Sequence, residues 1–212
     1  NGNYAYIDNK LEAKKTLVQE FGGTMNTIAK DVKLQVEFNP AKIESYRLIG
    51  YVNRQLDKAD FKNDSVDAGE LGSGHSVTAL YELVPVSQPP DQKETVSEEL
   101  RYQERRIKKQ AYRTDEIGLL KMRYKSPSGA KSKLLNYPLN PINQLSTTNN
   151  FHWAAAVAMF GMELRQSSYK GNTDFRLIRN TAKQGMGDDE KGFRKGFMEM
   201  IGQAAGAAQS QY

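Results

Sequence analysis

Cysteine is absent from this 212-residue chain, histidine occurs twice and tryptophan once. Without thiols there is no disulfide framework, no thiol nucleophile and no zinc–cysteine site. Two histidines also exclude a histidine-rich metal centre. No apolar run approaches the roughly 20 residues that span a bilayer, so no transmembrane segment is expected. Gly-x-Ser-x-Gly, His-Glu-x-x-His and Walker A patterns are all missing. We therefore expect no enzyme, with no catalytic residue, no bound cofactor and no metal. An initiating Met and a signal-peptide pattern are missing too, and Asn1–Asp8 read as the middle of an element. A piece of a longer protein is the expectation. The length allows one large domain or two small ones.

What is present is a local excess of positive charge. The chain carries 30 basic and 25 acidic side chains, a net of +5. Residues 1–90 are net −2, residues 91–133 net +5 and residues 134–212 net +2. The excess concentrates in Arg101, Arg105, Arg106, Lys108, Lys109 and Arg113, opposed within that run only by Glu104. Gln88–Glu94, just upstream, is apolar-poor and holds Pro89 and Pro90. Such a composition reads as a solvated linker, placed at about 87–115. The six cations are the candidate anion-binding residues, for an anionic polymer or a membrane surface. A soluble loop is the commoner meaning of an isolated basic run. No glycine-aromatic RNA-binding pattern accompanies it, and no nucleic acid is expected as a partner.

Period and punctuation give a coarse order of elements. Asn3–Ile7 reads as a short strand. Asn9 with Glu12 fits a capping box. Leu11, Leu17, Val18, Phe21, Met25, Ile28, Ala29 and Val32 follow helical spacing, interrupted by Gly22 and Gly23. From Lys33 the period changes to two: Leu34, Val36 and Phe38 alternate with Lys33, Gln35 and Glu37, a strand with its polar face wet. A second strand is expected over about 45–53. Val77–Val86, apolar on both faces, reads as a central strand. Ile117–Lys125 alternates, with Leu120, Met122 and Tyr124 inward. Ser126–Gly129 is a turn, and Lys133–Leu139 returns as the second arm of a hairpin. The last third reads as three helices, over 151–166, 173–184 and 188–208. Asp188, Asp189 and Glu190 stand at the start of the last one, where acids suit the helix dipole.

Several motifs carry a resemblance. Gly2–Asp8 with Glu12–Lys15 resembles the last strand and helix of a von Willebrand factor type A domain. Ile28–Lys33, Val36–Pro40, Tyr46–Tyr51, Asp67–Glu70, Gly74–Glu82 and Arg123–Lys125 resemble the C-terminal region, a domain of unknown function, of bacterial von Willebrand A-containing envelope proteins. The resemblance implies a parent with a signal or lipoprotein leader, located in the cell envelope or periplasm. It also implies that the preceding A domain is a partner within the parent. The Asp-x-Ser-x-Ser motif that begins an A domain's cation site is absent from these residues. The fold class is then α+β: an antiparallel, sandwich-like β-sheet core, a C-terminal helical subdomain, and a strand–helix remnant of an α/β A domain in front. Residues 1–32 are assigned to the remnant, 33–145 to the β-rich domain and 146–212 to the helices. The function expected is a non-enzymatic binding or scaffolding module that supports the A domain in protein–protein interaction.

The acids of Asp57–Glu70 could meet calcium, but they lack an EF-hand spacing and more simply cap turns or pair with Arg47 and Arg54. Gly69–Gly74 has the order G-x-x-G-x-G with a strand after it, so it offers phosphate no helix terminus. Its glycines suit a tight turn or a close strand approach. His75 and His152 could each act as a general base. Neither has a nucleophile motif beside it, so both read as structural.

Overall fold

The structure, a computed structural model, describes residues 6, 7, 9–19, 26–50, 56–87, 107–140 and 146–209. These form two compact units. The first gathers described residues from 1–44, 53–77 and 85–141, the second those from 45–52, 78–84 and 142–212. The fold is α+β, with antiparallel sheets and C-terminal helices.

In the first unit, Asn9 caps a short helix α1 (Lys10–Lys14), its Oδ1 accepting from Glu12 N at 2.9 Å. The next five residues, Lys15–Gln19, widen into a π-helical turn. The strand read over Asn3–Ile7 falls mostly outside the described residues; Tyr6 and Ile7 have no regular structure. The helical stripe continued to Val32 is corrected, because β1 spans Thr27–Phe38. Its β-branched residues Thr27, Ile28, Val32 and Val36 favour the pleated backbone.

β1 is central in a four-stranded antiparallel sheet of order β3-β1-β5-β6, with β3 at Gly69–Gly72, β5 at Gly118–Lys125 and β6 at Lys133–Leu139. The β5–β6 hairpin forms as the alternation predicted, and Gly129 N donates to Ser126 O across its turn at 2.9 Å. Gly69–Gly72 is a strand against Thr27–Val32. Of the two roles read for Gly69–Gly74, the turn forms, with His75 N donating to Gly72 O at 3.1 Å and Gly74 at a φ of +75°. A Cβ at Gly69 or Gly74 would meet nothing within 4 Å, and the close strand approach lies instead at Gly118, where a Cβ would lie 2.7 Å from Glu37 O.

Asp31 interrupts the β1 ladder. Its φ of +50° is a left-handed conformation, and the register with β5 slips between Lys30 and Lys33. This is a β-bulge, one unpaired insertion that reorients the strand. The bulge is held through the Asp31 carboxylate. Oδ2 lies 2.8 Å from Lys125 Nζ on β5, and Oδ1 accepts from Ala68 N at 3.2 Å. The Lys125 ammonium, against partial desolvation and with help from Ala68 N, keeps the Asp31 carboxyl below the ordinary 3.8. A carboxylate depressed in the fold adds stability above its unfolded pKa and loses it as pH falls through the folded one. Asp31→Asn keeps a side chain tolerated at positive φ. It should lower the urea midpoint at pH 7 while shrinking the difference between pH 7 and pH 3. Equal acid sensitivity in parent and variant would disprove the role of this pair.

Asn39 closes the far end of β1. Its Nδ2 donates to Ala111 O and Glu116 O, both at 2.9 Å, and its Oδ1 accepts from Ala41 N. It thereby ties a one-turn helix, α2 (Lys109–Arg113), to the strand end.

In the second unit, the main part of β2 (Ile43–Leu48) pairs with β4 (Tyr81–Pro85) in a two-stranded ribbon. The central strand read at Val77–Val86 is therefore corrected: a two-stranded ribbon has no centre, and Val77 is 71% exposed. Arg47 pairs with Glu82 across the ribbon, and its guanidinium stacks 4.4 Å from the centre of the Tyr169 ring. It does not pair with the acids of Asp57–Glu70, and Arg54 lies outside the described residues.

The helices of this unit are α3 (Asn149–Leu164), α4 (Phe175–Gln184) and α5 (Phe193–Gln209). Thr148 caps α3 by accepting from Phe151 N, and Asp174 caps α4 by accepting from Leu177 N. Side-chain oxygens here satisfy amides that the first turn leaves unpaired. Their inner faces bury Ala156, Phe160, Ile178, Ala182 and Ile201. Phe160 meets Phe175 and Phe197 edge to face, with ring centres 6.3 and 5.3 Å apart. Asp189 precedes α5 and accepts from Lys195 N at 2.8 Å. Desolvation opposes its charged form. The amides of Lys195, Arg194 and Phe193, with the Arg194 charge, outweigh that and lower its pKa.

Candidate interaction surface

The two faces of the four-stranded sheet differ in kind. Residues paired directly across strands share a face. The register Leu34↔Met122, Val36↔Leu120, Met122↔Leu135 and Leu120↔Tyr137 therefore places all of these on one side. Phe38, Tyr124 and Leu139 join them by alternation. The other side carries Lys33, Gln35, Glu37, Lys121, Arg123 and Asn136, with Leu119, Leu134 and Pro138.

Amphipathic strands normally turn the apolar side inward. Here the opposite holds at one end of the sheet. Lys33 is 4% exposed, and its ammonium donates to Asp60 O at 3.1 Å and Asn63 O at 2.5 Å. Both carbonyls belong to the turn around the 3₁₀ helix Asp60–Lys62. Its Phe61 is buried, with the Arg123 guanidinium 5.7 Å from its ring centre. Arg123 also donates to Ser132 Oγ at 2.7 Å. The polar face read as wet is thus covered by the 57–66 segment at this end. The expectation fails because backbone carbonyls can satisfy a lysine that an apolar side chain shields.

The apolar side stands open instead. Leu34 is 54% exposed, Leu135 51% and Tyr137 66%. Leu120, Met122 and Tyr124, expected inward, are half-buried. An exposed apolar face of this kind marks an interaction site more often than chance does.

Arg101, Arg105 and Arg106 lie outside the described residues. Lys108, Lys109 and Arg113 are exposed at or on α2, which buries none of its residues. His75 is exposed before β4. His152 Nε2 lies 3.0 Å from Thr147 Oγ1 and its ring meets Phe151 edge to face. Among the described residues no acidic or histidine cluster suits a metal ion, and no helix is long and apolar enough to cross a membrane.

A polar cleft of about 290 Å³ lies in the helical unit, lined by Thr148, Asn149, Asn150, Gly187, Asp188 and Arg194. Sequence reasoning missed Arg194. Its guanidinium donates to Gly185 O, to Met186 O at 3.1 Å and to Asn150 Oδ1 at 2.5 Å, and lies 5.1 Å from the Trp153 ring centre. These contacts engage the cation in tying α3, α4 and α5 together. An arginine in the first turn of a helix carries no sequence signal for that role.

Comparison with known proteins gives two matches. Residues 23–206 match the family model described as "Uncharacterized protein YfbK, C-terminal". The chain is also 43% identical over 207 residues to the uncharacterized protein YfbK of Escherichia coli (strain K12). That alignment covers 97% of this chain and 35% of the relative, so the chain spans about a third of the relative's length. No solved structure matches.

Proposed function

From the premise that this chain belongs to the YfbK C-terminal family, we propose that it is a non-enzymatic binding module whose docking surface is the apolar face of the β3-β1-β5-β6 sheet. The observation that carries this is the exposure of Leu34, Leu135 and Tyr137 on one continuous face. Burying the exposed half of three such side chains contributes on the order of 1 kcal/mol each. The rest of the parent is the proposed occupant, and the resemblance of the N-terminal residues to the end of a von Willebrand A domain supports an A domain in that place. The same resemblance supports a cell-envelope or periplasmic setting, with a signal or lipoprotein leader on the parent.

Tyr137 supplies the test. Full-length parent and the 212-residue chain are acetylated under matched conditions, and modification of the Tyr137 hydroxyl is quantified by mass spectrometry. Strong protection in the full-length protein is expected, and its loss on Leu34→Lys with Leu135→Lys. Equal labelling of Tyr137 in both proteins would refute the reading.

A second reading rests on exposed Lys108, Lys109 and Arg113, which suit docking to an anionic polymer or membrane surface. Changing Arg105, Arg106, Lys108 and Lys109 to Ser should then weaken binding to anionic vesicles, and added salt should do the same. Unaltered vesicle binding would eliminate it.

A further inference from the structure

We infer that β6 is an acceptor strand, and that the partner adds to it an extended segment carrying acidic side chains. The inference rests on the sheet face being a docking surface and specifies the chemistry of what docks there.

β6 forms one edge of its sheet. Which of its backbone groups face outward follows from the ladder. Asn39 N donates to Ile117 O at 2.9 Å, and β1 and β5 stay in register from Lys33↔Arg123 to Phe38↔Gly118. Hydrogen-bonded pairs alternate along an antiparallel ladder. Leu119, Lys121 and Arg123 therefore turn their backbone groups to β1, and Leu120, Met122 and Tyr124 turn theirs to β6. Their partners Tyr137, Leu135 and Lys133 face back to β5. Leu134, Asn136 and Pro138 are left pointing away from the sheet. Pro138 agrees independently, since a residue without N–H fits a strand only where that group would face out.

The outer edge thus offers the N–H groups of Leu134 and Asn136 and the carbonyls of both. The next outward donor along the strand, Ser132 N, is already taken by a carboxylate, Asp64 Oδ2 at 3.3 Å. An added strand would meet Leu134 and Asn136 and extend the face of Leu135 and Tyr137. Proteins commonly guard an edge with Lys and Pro. Lys133 and Pro138 do so only in part, because Leu134, Leu135 and Tyr137 are 44%, 51% and 66% exposed.

Charge selects the occupant. No Asp or Glu occurs between Ile117 and Met162, whereas Lys121, Arg123, Lys125, Lys131 and Lys133 all fall there. Lys121 is matched by Glu37 and Lys125 by Asp31. Lys131 and Lys133, leading into β6, meet no carboxylate among the described residues. A strand bearing acids at that end complements them, and strand addition draws affinity from the main chain and specificity from side chains.

The 212-residue protein is titrated with a short capped Glu–Val peptide and with its Lys–Val counterpart, while backbone amides are followed by NMR. In the Glu–Val peptide Val alternates with Thr, and Glu replaces Val at the end that meets Lys131 and Lys133, so that Val and Glu share one face as Leu135 and Lys133 do. We expect the Glu–Val peptide to bind about tenfold more tightly than the Lys–Val one. Exchange of the Leu134 and Asn136 amides should slow about tenfold with it bound. Lys131→Glu with Lys133→Glu should reverse the preference. Asn136→Pro removes an outward donor without touching the β5 ladder and should abolish binding. Leu135→Lys with Tyr137→Lys removes the face and leaves the edge. Binding lost only in that last variant would overturn strand addition while leaving the docking face standing. Binding indifferent to every variant, or absent, would overturn the inference. Protection of Leu134 and Asn136 by self-association alone would also overturn it, showing a second copy as the occupant.

Discussion

Truncating Phe160 to Ala is expected to destabilise the helical unit by about 3–5 kcal/mol, the usual cost of removing a buried aromatic. Phe160 is 6% exposed, and its ring meets both Phe175 and Phe197. The edge-to-face geometry adds about 0.5–1.5 kcal/mol per pair beyond the area buried. Whole domains hold only about 5–15 kcal/mol, so this variant should lose a large share of its margin. Urea titration followed through Trp153 fluorescence reads the loss directly. Trp153 packs edge to face on Phe197, with ring centres 5.1 Å apart. A midpoint shift equivalent to less than about 1 kcal/mol would mean that this cluster is not the core.

The second large effect comes from adding atoms. Gly185 ends α4, and a Cβ there would lie 2.8 Å from Trp153 Cα and 2.9 Å from Asn149 O. Both are backbone atoms of α3, so no rotamer change relieves the overlap. Gly185→Ala should cost about 1–3 kcal/mol by overpacking, although alanine is by propensity the better helical residue. Its φ of −86° is open to any residue, so the cost is one of contact and not of backbone strain. Thermal unfolding of Gly185→Ala beside Gly171→Ala makes the comparison. Gly171 has no neighbour within 4 Å of a Cβ but a φ of +55°. If Gly171→Ala proved the worse of the two, the close approach at Gly185 would not be limiting.

How much of this was readable from sequence depended on whether local pattern and tertiary setting agreed. The β5–β6 hairpin was readable because alternation over Leu120–Lys125 runs into a Pro-Ser-Gly turn and a second short apolar run returns from it. The three helices were readable from composition and spacing, as in Phe193, Phe197, Met200, Ile201 and Ala204; the caps Thr148 and Asp174 became visible only in the structure. The first half of β1 was not. Met25, Ile28, Ala29 and Val32 have helical spacing, and the bulge at Asp31 removes the alternation that would have betrayed a strand. Val77–Val86 misled in the other direction, since an apolar run on both faces does not require burial on both. The candidate site was half readable. Alternation placed Leu34 with Val36 on one face of β1 and Leu120, Met122 and Tyr124 on one face of β5, and the β1–β5 pairing that joins them appears only in the structure. Alternation could not show that Phe61 and two carbonyls some 30 residues along the chain from Lys33 would cover the polar side instead.

The strand order β3-β1-β5-β6 also has a kinetic meaning. Phe38 and Gly118, partners in the central ladder, are separated by about 80 residues of chain. Closing a loop of that length must precede every β1–β5 contact, and its entropic cost is not offset until several pairs have formed. The β5–β6 hairpin needs only a tight turn, so it can form on the microsecond scale. The hairpin is therefore the earlier event and the arrival of β1 the slower one. Until β1 arrives, the hairpin shows both edges to solvent, and the acid-free run of lysines and arginine on it supplies like-charge repulsion between chains during that interval.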